Sequence, residues 1–209
     1  MKSRHPDGAR EHARTAIRQH LRAGRWSMGE WLDASSIAAE LGLSPSPVRE
    51  TLARLHGETI LVARHRGGYS VPRLMPHELA HEYRLRGAIV AGLAEGVRAG
   101  HGVIASPGSQ SVDRADALLA QVLHASGAAL AARLVENSSL RIAIYAKAEE
   151  LALNDVAAEL DLLEELAFAG RTSALRRALR QFHTRRATAA GAICQAAEKI
   201  SKSVGKALE

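Results

Sequence analysis

Cysteine is nearly absent: Cys194 is the single one in 209 residues. One thiol cannot close an internal disulfide, which excludes a crosslinked secreted scaffold and suits a reducing cytoplasm. Lying among Ala190, Ile193 and Ala197, it reads as a packed small hydrophobe. Aromatic residues are scarce too, at 3%, while hydrophobic residues make up 46%. A core of small and aliphatic side chains, and hence a mainly α protein, is expected. No apolar run approaches the roughly 20 residues of a membrane span. The N-terminal MKSRHPDGAREHAR is basic and polar, without the apolar stretch of a signal sequence. The expectation is a cytoplasmic protein with no membrane partner. Rossmann, P-loop and metalloprotease motifs are missing, as is any repeat. Glu149-Glu150 and Glu164-Glu165 read as solvated helix faces rather than catalytic pairs, so the chain is not expected to be an enzyme.

Charge, by contrast, is present and unevenly placed. Residues 1–76 hold 12 Lys and Arg against 7 Asp and Glu, a net +5 of the chain's +6. A localised basic surface draws phosphate and releases counterions. Within it, residues 32–72 read LDASSIAAELGLSPSPVRETLARLHGETILVARHRGGYSVP. Ser35 to Leu41 has helical spacing, with Ile37, Ala38 and Leu41 on one face. Gly42 supplies the reversal. Ser46 is placed to cap a second helix with Pro47 at its first position. Val48, Leu52 and Leu55 then face inward and leave Arg49, Glu50, Ala53 and Arg54 outside. Ile60 to Arg64 and Tyr69 to Val71 pair as a hairpin around Arg66-Gly67-Gly68. The order is that of a winged helix-turn-helix. An earlier helix, about Arg10 to Ala23, ends at Gly24, and Trp26, Met28, Trp31 and Leu32 are expected to cover the joint as local core.

This pattern points to double-stranded DNA. Arg49 sits in the first turn of the second helix, where Arg grips guanine O6 and N7. Ser44 and Ser46 suit phosphate oxygens, helped by free N–H groups and the helix dipole. Arg54 lies on the same outer face. His65, Arg66 and Gly67 form the wing tip, placed for the adjacent minor groove.

At IAAELGLSPSPVRETLARL the chain resembles the GntR family of bacterial transcription regulators, whose pattern includes LG-(V/L)-S-x-x-PVRE. The resemblance covers residues 10–73. It departs at Thr59, where the family has Gly at the wing entry, and at Pro45, where the family often carries a base-reading Arg.

From His77 onward the sequence reads as helix. A long first helix runs to about Arg98, a Gly-, Ser- and Pro-rich stretch spans Gly100 to Ser111, and helices follow at about 112–125, 128–136, 138–152, 154–169 and 171–200. Gly127, Asn137, Asn154 and Gly170 mark the breaks, and the tail after Ile200 is expected to fray. The organisation expected is a winged helix-turn-helix domain over 1–73, a linker at 74–76 and an all-helical domain over 77–209.

In the GntR family such a helical domain implies the FadR/FCD-type branch. Asn137-Ser138-Ser139-Leu140 resembles its Asn-x-x-Leu at a helix start, and GRTSALRRALRQFH (Gly170 to His183) its last helices. The first helix there carries an Arg and a Glu four residues on; here Arg86 is followed by Val90. Many such domains hold a divalent metal through an Asp-x-x-x-His pair, a further His and the His of the last helix. No Asp-x-x-x-His occurs in 77–209. His124 and Ala128 lie near that register, Leu160 stands near the next ligand position, and His183 alone survives. No metal and no cofactor are therefore expected. His77 and His81 share a face but read as exposed residues of a helix start.

The resulting expectation is a DNA-binding transcription regulator, a repressor, that reads an inverted-repeat operator as a homodimer joined through 77–209. A small-molecule effector would modulate it from a metal-free pocket: an apolar effector, oriented by His183 and Arg86. The alternatives are a regulator that has lost effector binding, and an enzyme with a DNA-tethering head.

Overall fold

A computed structural model of the chain describes residues 6–100 and 111–206, with side chains from 8 to 100 and 111 to 201. It divides into two compact units, one built on the residues before Leu74 and one on Leu74–Ser203.

The first unit opens with α1 (Pro6–Arg22), whose Ala13, Ile17 and Leu21 recur every fourth residue and are buried. Gly24 turns the chain at φ 63°. A two-residue strand, β1 (Trp31–Leu32), precedes α2 (Ala34–Leu41). Asp33 caps α2, accepting hydrogen bonds from the Ser35 and Ser36 backbone N–H groups and from the Ser36 hydroxyl at 3.4, 2.8 and 2.6 Å. Gly42, at φ 63°, ends it. The second helix of the motif, α3 (Pro45–Gly57), starts two residues earlier than the spacing suggests. Its cap position is Ser44, not Ser46, because Pro45 already has the helical φ and drives Ser44 to an extended ψ of 157°. Val48, Leu52 and Leu55 are buried against α1 and α2, as their period requires. Each such side chain contributes about 1.5–3 kcal/mol of burial.

The wing is β2 (Val62–Ala63) and β3 (Tyr69–Ser70), antiparallel, with Val62 opposite Ser70 and Ala63 opposite Tyr69. β1 pairs on the other side of β3, Trp31 opposite Ser70, giving the order β1-β3-β2. The sequence pattern missed this third strand, which is too short to show alternation.

The second unit is all helical: α4 (Pro76–Leu93), a 3₁₀ turn (Ala94–Gly96), α5 (Ser111–Ala125), α6 (Ala129–Arg141), α7 (Ala143–Ala152), α8 (Val156–Phe168), α9 (Thr172–Thr188) and α10 (Ala190–Lys206). Val90, Leu118, Val122, Leu160, Leu163, Leu175, Leu179 and Phe182 form its apolar centre. The architecture is the expected mainly α one with a small sheet in the first unit. No helix among the described residues is long and apolar enough to cross a membrane.

Several boundaries of the helical unit also differ from the sequence reading; α4, expected to run to about Arg98, ends at Leu93. Asn137 does not break a helix. It lies inside α6, because the next two residues, Ser138 and Ser139, are buried and donate to Glu82 and Asp116 at 2.7 and 2.8 Å. The Asn-x-x-Leu landmark thus falls in the last turns of α6 and not at a helix start. The single helix expected over 171–200 is divided at Ala189, where no Gly or Pro marks the break. The tail holds helix through Ile200 to Lys206 instead of fraying there. Most of the Gly-, Ser- and Pro-rich stretch, residues 101–110, lies outside the described residues.

Candidate nucleic-acid interface and buried polar centre

Among the described residues of the first unit, several arginines are held in ion pairs and three exposed ones are not. Arg10 pairs with Glu50 at 2.5 Å, Arg18 with Glu58 at 3.2 Å, Arg54 with Glu58 at 3.0 Å, and Arg25 with Glu40. The first two tie α1 to α3 and its end, the third is local to the end of α3, and the fourth ties the turn after α1 to α2. Arg49, Arg64 and Arg66 are exposed and have no ion pair among the described residues. They stand on the first turns of α3 and on the wing. Arg49 also lies close enough to Asp33 for its charge to help hold that carboxyl below its usual pKa, behind the hydrogen bonds from Ser36. The outward face of α3 therefore carries a free guanidinium beside a fixed helix start. Arg54, expected on the same face, is engaged with Glu58 one turn on.

The start of α3 is a poorer anion cradle than its sequence suggests. A helix start leaves four backbone N–H groups unpaired. Pro45 and Pro47 remove two of the four here, leaving those of Ser44 and Ser46. Ser44 makes no side-chain cap bond, and the Ser46 hydroxyl lies 3.3 Å from Glu50. Both residues are exposed. At the wing, Arg64 and Gly68 close the turn through a 3.0 Å backbone hydrogen bond, and Gly67 and Gly68 take φ of 88° and 77°. His65, Arg66 and Gly67 are all exposed at its tip. Trp26 is buried as expected, but Trp31 is 53% exposed and belongs to this surface rather than to the core.

The helical unit brings Arg86 and His183 together, as expected, in a polar centre that the sequence showed only in part. Gly87 permits it: a Cβ there would stand 2.7 Å from the Cβ of His183, so α4 and α9 close together only over a glycine. A cavity of about 20 Å³ lies between them, lined by Tyr83, Arg86, Asp116, Ser139, Phe182 and His183 among others. Arg86 is 5% exposed. It donates to Ser139 Oγ at 3.1 Å and sits 3.5 Å from Asp116 Oδ1, with its Nε unpartnered. His183 Nδ1 donates to the Leu179 carbonyl at 2.8 Å, since a carbonyl can only accept. Burial, and then the Arg86 charge, push the imidazole pKa down to about 3, so the ring is neutral and its buried Nε2 is an unpartnered lone pair. His183 thus offers the cavity an acceptor, not the donor that an effector hydrogen bond was expected to use.

Beside the cavity, Glu149 accepts from Tyr83 Oη at 2.7 Å and from Arg186 Nε at 2.5 Å. Arg186 is fully buried, donates also to Glu159 at 2.9 Å, and lies 3.3 Å over the Phe182 ring. Burial and the neighbouring carboxylate push the Tyr83 phenol up. Glu149 is therefore not a solvated face residue. The two glutamates, Glu149 and Glu150, are adjacent in sequence, and only the partner on α9 shows which of them turns inward. Asp116 was likewise missed, because no His follows it four residues on. Glu164 pairs with Arg114 at 2.7 Å.

A metal does not fit this centre. The Arg86 guanidinium stands beside Asp116, and no three His, Cys, Asp or Glu side chains converge among the described residues. His77 and His81 are exposed on α4, with ring centroids 6.2 Å apart. Cys194 is half-buried, with Sγ 3.8 Å from the Leu74 carbonyl and its thiol pKa raised by burial.

Residues 9–71 match the family described as bacterial regulatory proteins, gntR family. The head is a DNA-binding domain of that type. Among solved structures the chain is similar to McbR/YncC of E. coli, at 17% identity and a TM-score of 0.65 over 85% of this chain and 94% of that one. It is also similar to a putative transcriptional regulator GntR from Rhodococcus sp. RHA1, at 14% identity and a TM-score of 0.67 over 86% and 95%. These likenesses are of fold. No curated protein matches the chain.

Proposed function

We propose that this chain is a transcription regulator of GntR type, with residues 1–73 as its DNA-reading domain and 77–209 as an FCD-type helical domain that joins two copies. The observation that carries the reading is the exposed Arg49 near the start of α3, without an ion pair, with Arg64 and Arg66 likewise without one on the wing. Several other arginines of this unit are paired with carboxylates; these three are exposed and have no ion pair among the described residues. Ser44, Ser46, His65 and Gly67 supply hydroxyl, imidazole and backbone groups around them. Arg54 is a weaker candidate, since Glu58 already answers its charge. Acting as a repressor, the protein would occupy an inverted repeat, one head to each half-site. Leu130 and Leu134, one turn apart and 71% and 52% exposed on α6, support a second copy as their cover.

For the effector, the lining weighs against the apolar expectation. A cavity of about 20 Å³ holds one water, not a metabolite. Its walls carry a buried cation, a carboxylate and a lone pair. We therefore favour the alternative of a regulator whose effector pocket has shrunk, with Arg86 standing as the fixed cation of the centre. The DNA reading is tested by gel retardation on the protein's own promoter. Arg49→Ala should lose about 1–3 kcal/mol of operator affinity and relax specificity. Equal loss on operator and random DNA would make Arg49 a phosphate contact instead.

A further inference from the structure

The surface of the head contains one large aromatic that neither the core nor the recognition helix accounts for. Trp31 lies on β1, and its neighbour Leu32 is 2% exposed where Trp31 is 53%. The alternation of a strand sends the two side chains to opposite faces. The indole is not loose on that surface. A Cβ on Gly68 would stand 2.6 Å from Trp31 Nε1, so the ring edge rests on the backbone of the wing turn. Gly68 is therefore required twice over, by its φ of 77° and by the indole. The rest of the ring borders an open cleft whose other walls are Arg64, His65, Arg66 and Gly67. An exposed aromatic plane walled by two arginines and an imidazole is the composition of a nucleic-acid surface, with cations for phosphate and a flat apolar face for sugar or base. As a Trp with its N–H end against the turn, it exposes its apolar body beside the wing tip.

We propose that Trp31 is a DNA-contacting residue: its indole holds the wing turn from one side and packs against the deoxyribose-phosphate backbone from the other, completing the cleft with Arg64 and Arg66. This rests on the DNA-reading role proposed above and adds a contact outside the helix-turn-helix and the wing. A contact of this kind carries no sequence information and no charge, so its loss weakens every duplex and leaves the salt dependence alone.

The two tryptophans make the test direct, since Trp26 is buried and Trp31 is the one open to solvent. The full-length protein is titrated with a random-sequence 30-base-pair duplex, following labelled-DNA anisotropy and tryptophan emission with acrylamide quenching. Trp31→Ala should weaken binding about tenfold at every salt concentration with an unchanged salt slope, as loss of one aromatic contact does. Trp31→Phe, which keeps a ring on the turn, should weaken it less. DNA should shield wild-type emission from acrylamide and leave the Trp31→Phe signal, which is that of Trp26, unchanged. Trp31→Ala binding like wild type overturns the proposal. So does weakened binding with no shielding of wild-type emission, which makes Trp31 a prop for the wing and nothing more. A wild type that binds no duplex at low salt refutes the DNA reading itself, a result separate from either.

Discussion

Thr59 sits in the left-handed region at φ 63°, and it is a β-branched residue. The position follows from how α3 ends. Ile60 N–H bonds to the Leu55 carbonyl at 2.9 Å and Thr59 N–H to the His56 carbonyl at 2.9 Å, the pair of bonds that closes a helix through a left-handed residue after the cap. Glycine takes that conformation freely; an L-residue gives up about 1–2 kcal/mol, and branching at Cβ does not lower this. Against it, glycine loses about 0.5–1 kcal/mol of backbone entropy more on folding. The hydroxyl's 2.7 Å bond to the Glu58 carbonyl is exposed and sits at the low end of the roughly 0.5–1.5 kcal/mol range. The balance favours Thr59→Gly by about 0.5 kcal/mol, or about 2–4 °C in the melting of a unit this size. Both tryptophans lie in this unit, so their emission follows its unfolding without interference from the helical one. Thr59→Val, which keeps the branch and drops the hydroxyl, should melt below wild type. If Thr59→Gly also melts below wild type, the strain assigned to φ 63° is not a net cost, and the hydroxyl or a neighbouring contact governs the turn.

In the helical unit, Glu149→Ala should cost about 3–5 kcal/mol, since it strips one of two carboxylates from the fully buried Arg186 and the acceptor from Tyr83. A loss below about 0.5 kcal/mol by far-ultraviolet circular dichroism would show that Glu159 alone suffices, a surface-like response. The depressed pKa of His183 sets a pH dependence with a definite sign. Between about 3 and the ordinary 6.5 the unfolded chain binds a proton that the folded ring refuses, so stability falls as pH falls, by about 1.4 kcal/mol per unit for this group. Comparing wild type with His183→Leu from pH 7 to 5, the variant should lose less; parallel losses would mean that the ring takes its proton in the folded state.

The head was legible because its signals are local. The Gly42 turn, the 3.6-residue period of Val48, Leu52 and Leu55, and the glycines of the wing each fix a conformation within a few residues. The register of α3 was off by two because both Pro45 and Pro47 suit a first turn, and the earlier one prevails once the chain is already helical there. What escaped depends on partners far along the chain. Asn137 reads as a break until Ser138 and Ser139 are seen to be held by α4 and α5. Trp31 reads as core until β1 turns its neighbour inward instead.

The buried centre is the sharpest case of this dependence. Arg86 and His183 were found through a resemblance to domains whose metal ligands this sequence lacks, and an apolar effector was expected beside them. The three-dimensional arrangement shows a polar, charged centre instead. Asp116, left without a His one turn on, faces a guanidinium, and the imidazole is kept neutral by burial and by that same guanidinium. The buried Arg86 cation already neutralises the nearby carboxylate, and the cavity beside it has room for a water. Opening this centre to a ligand would mean separating Arg86 from Asp116 and Ser139, and α4 from α9 where Gly87 meets His183. A ligand that bound there would have to return the energy of both.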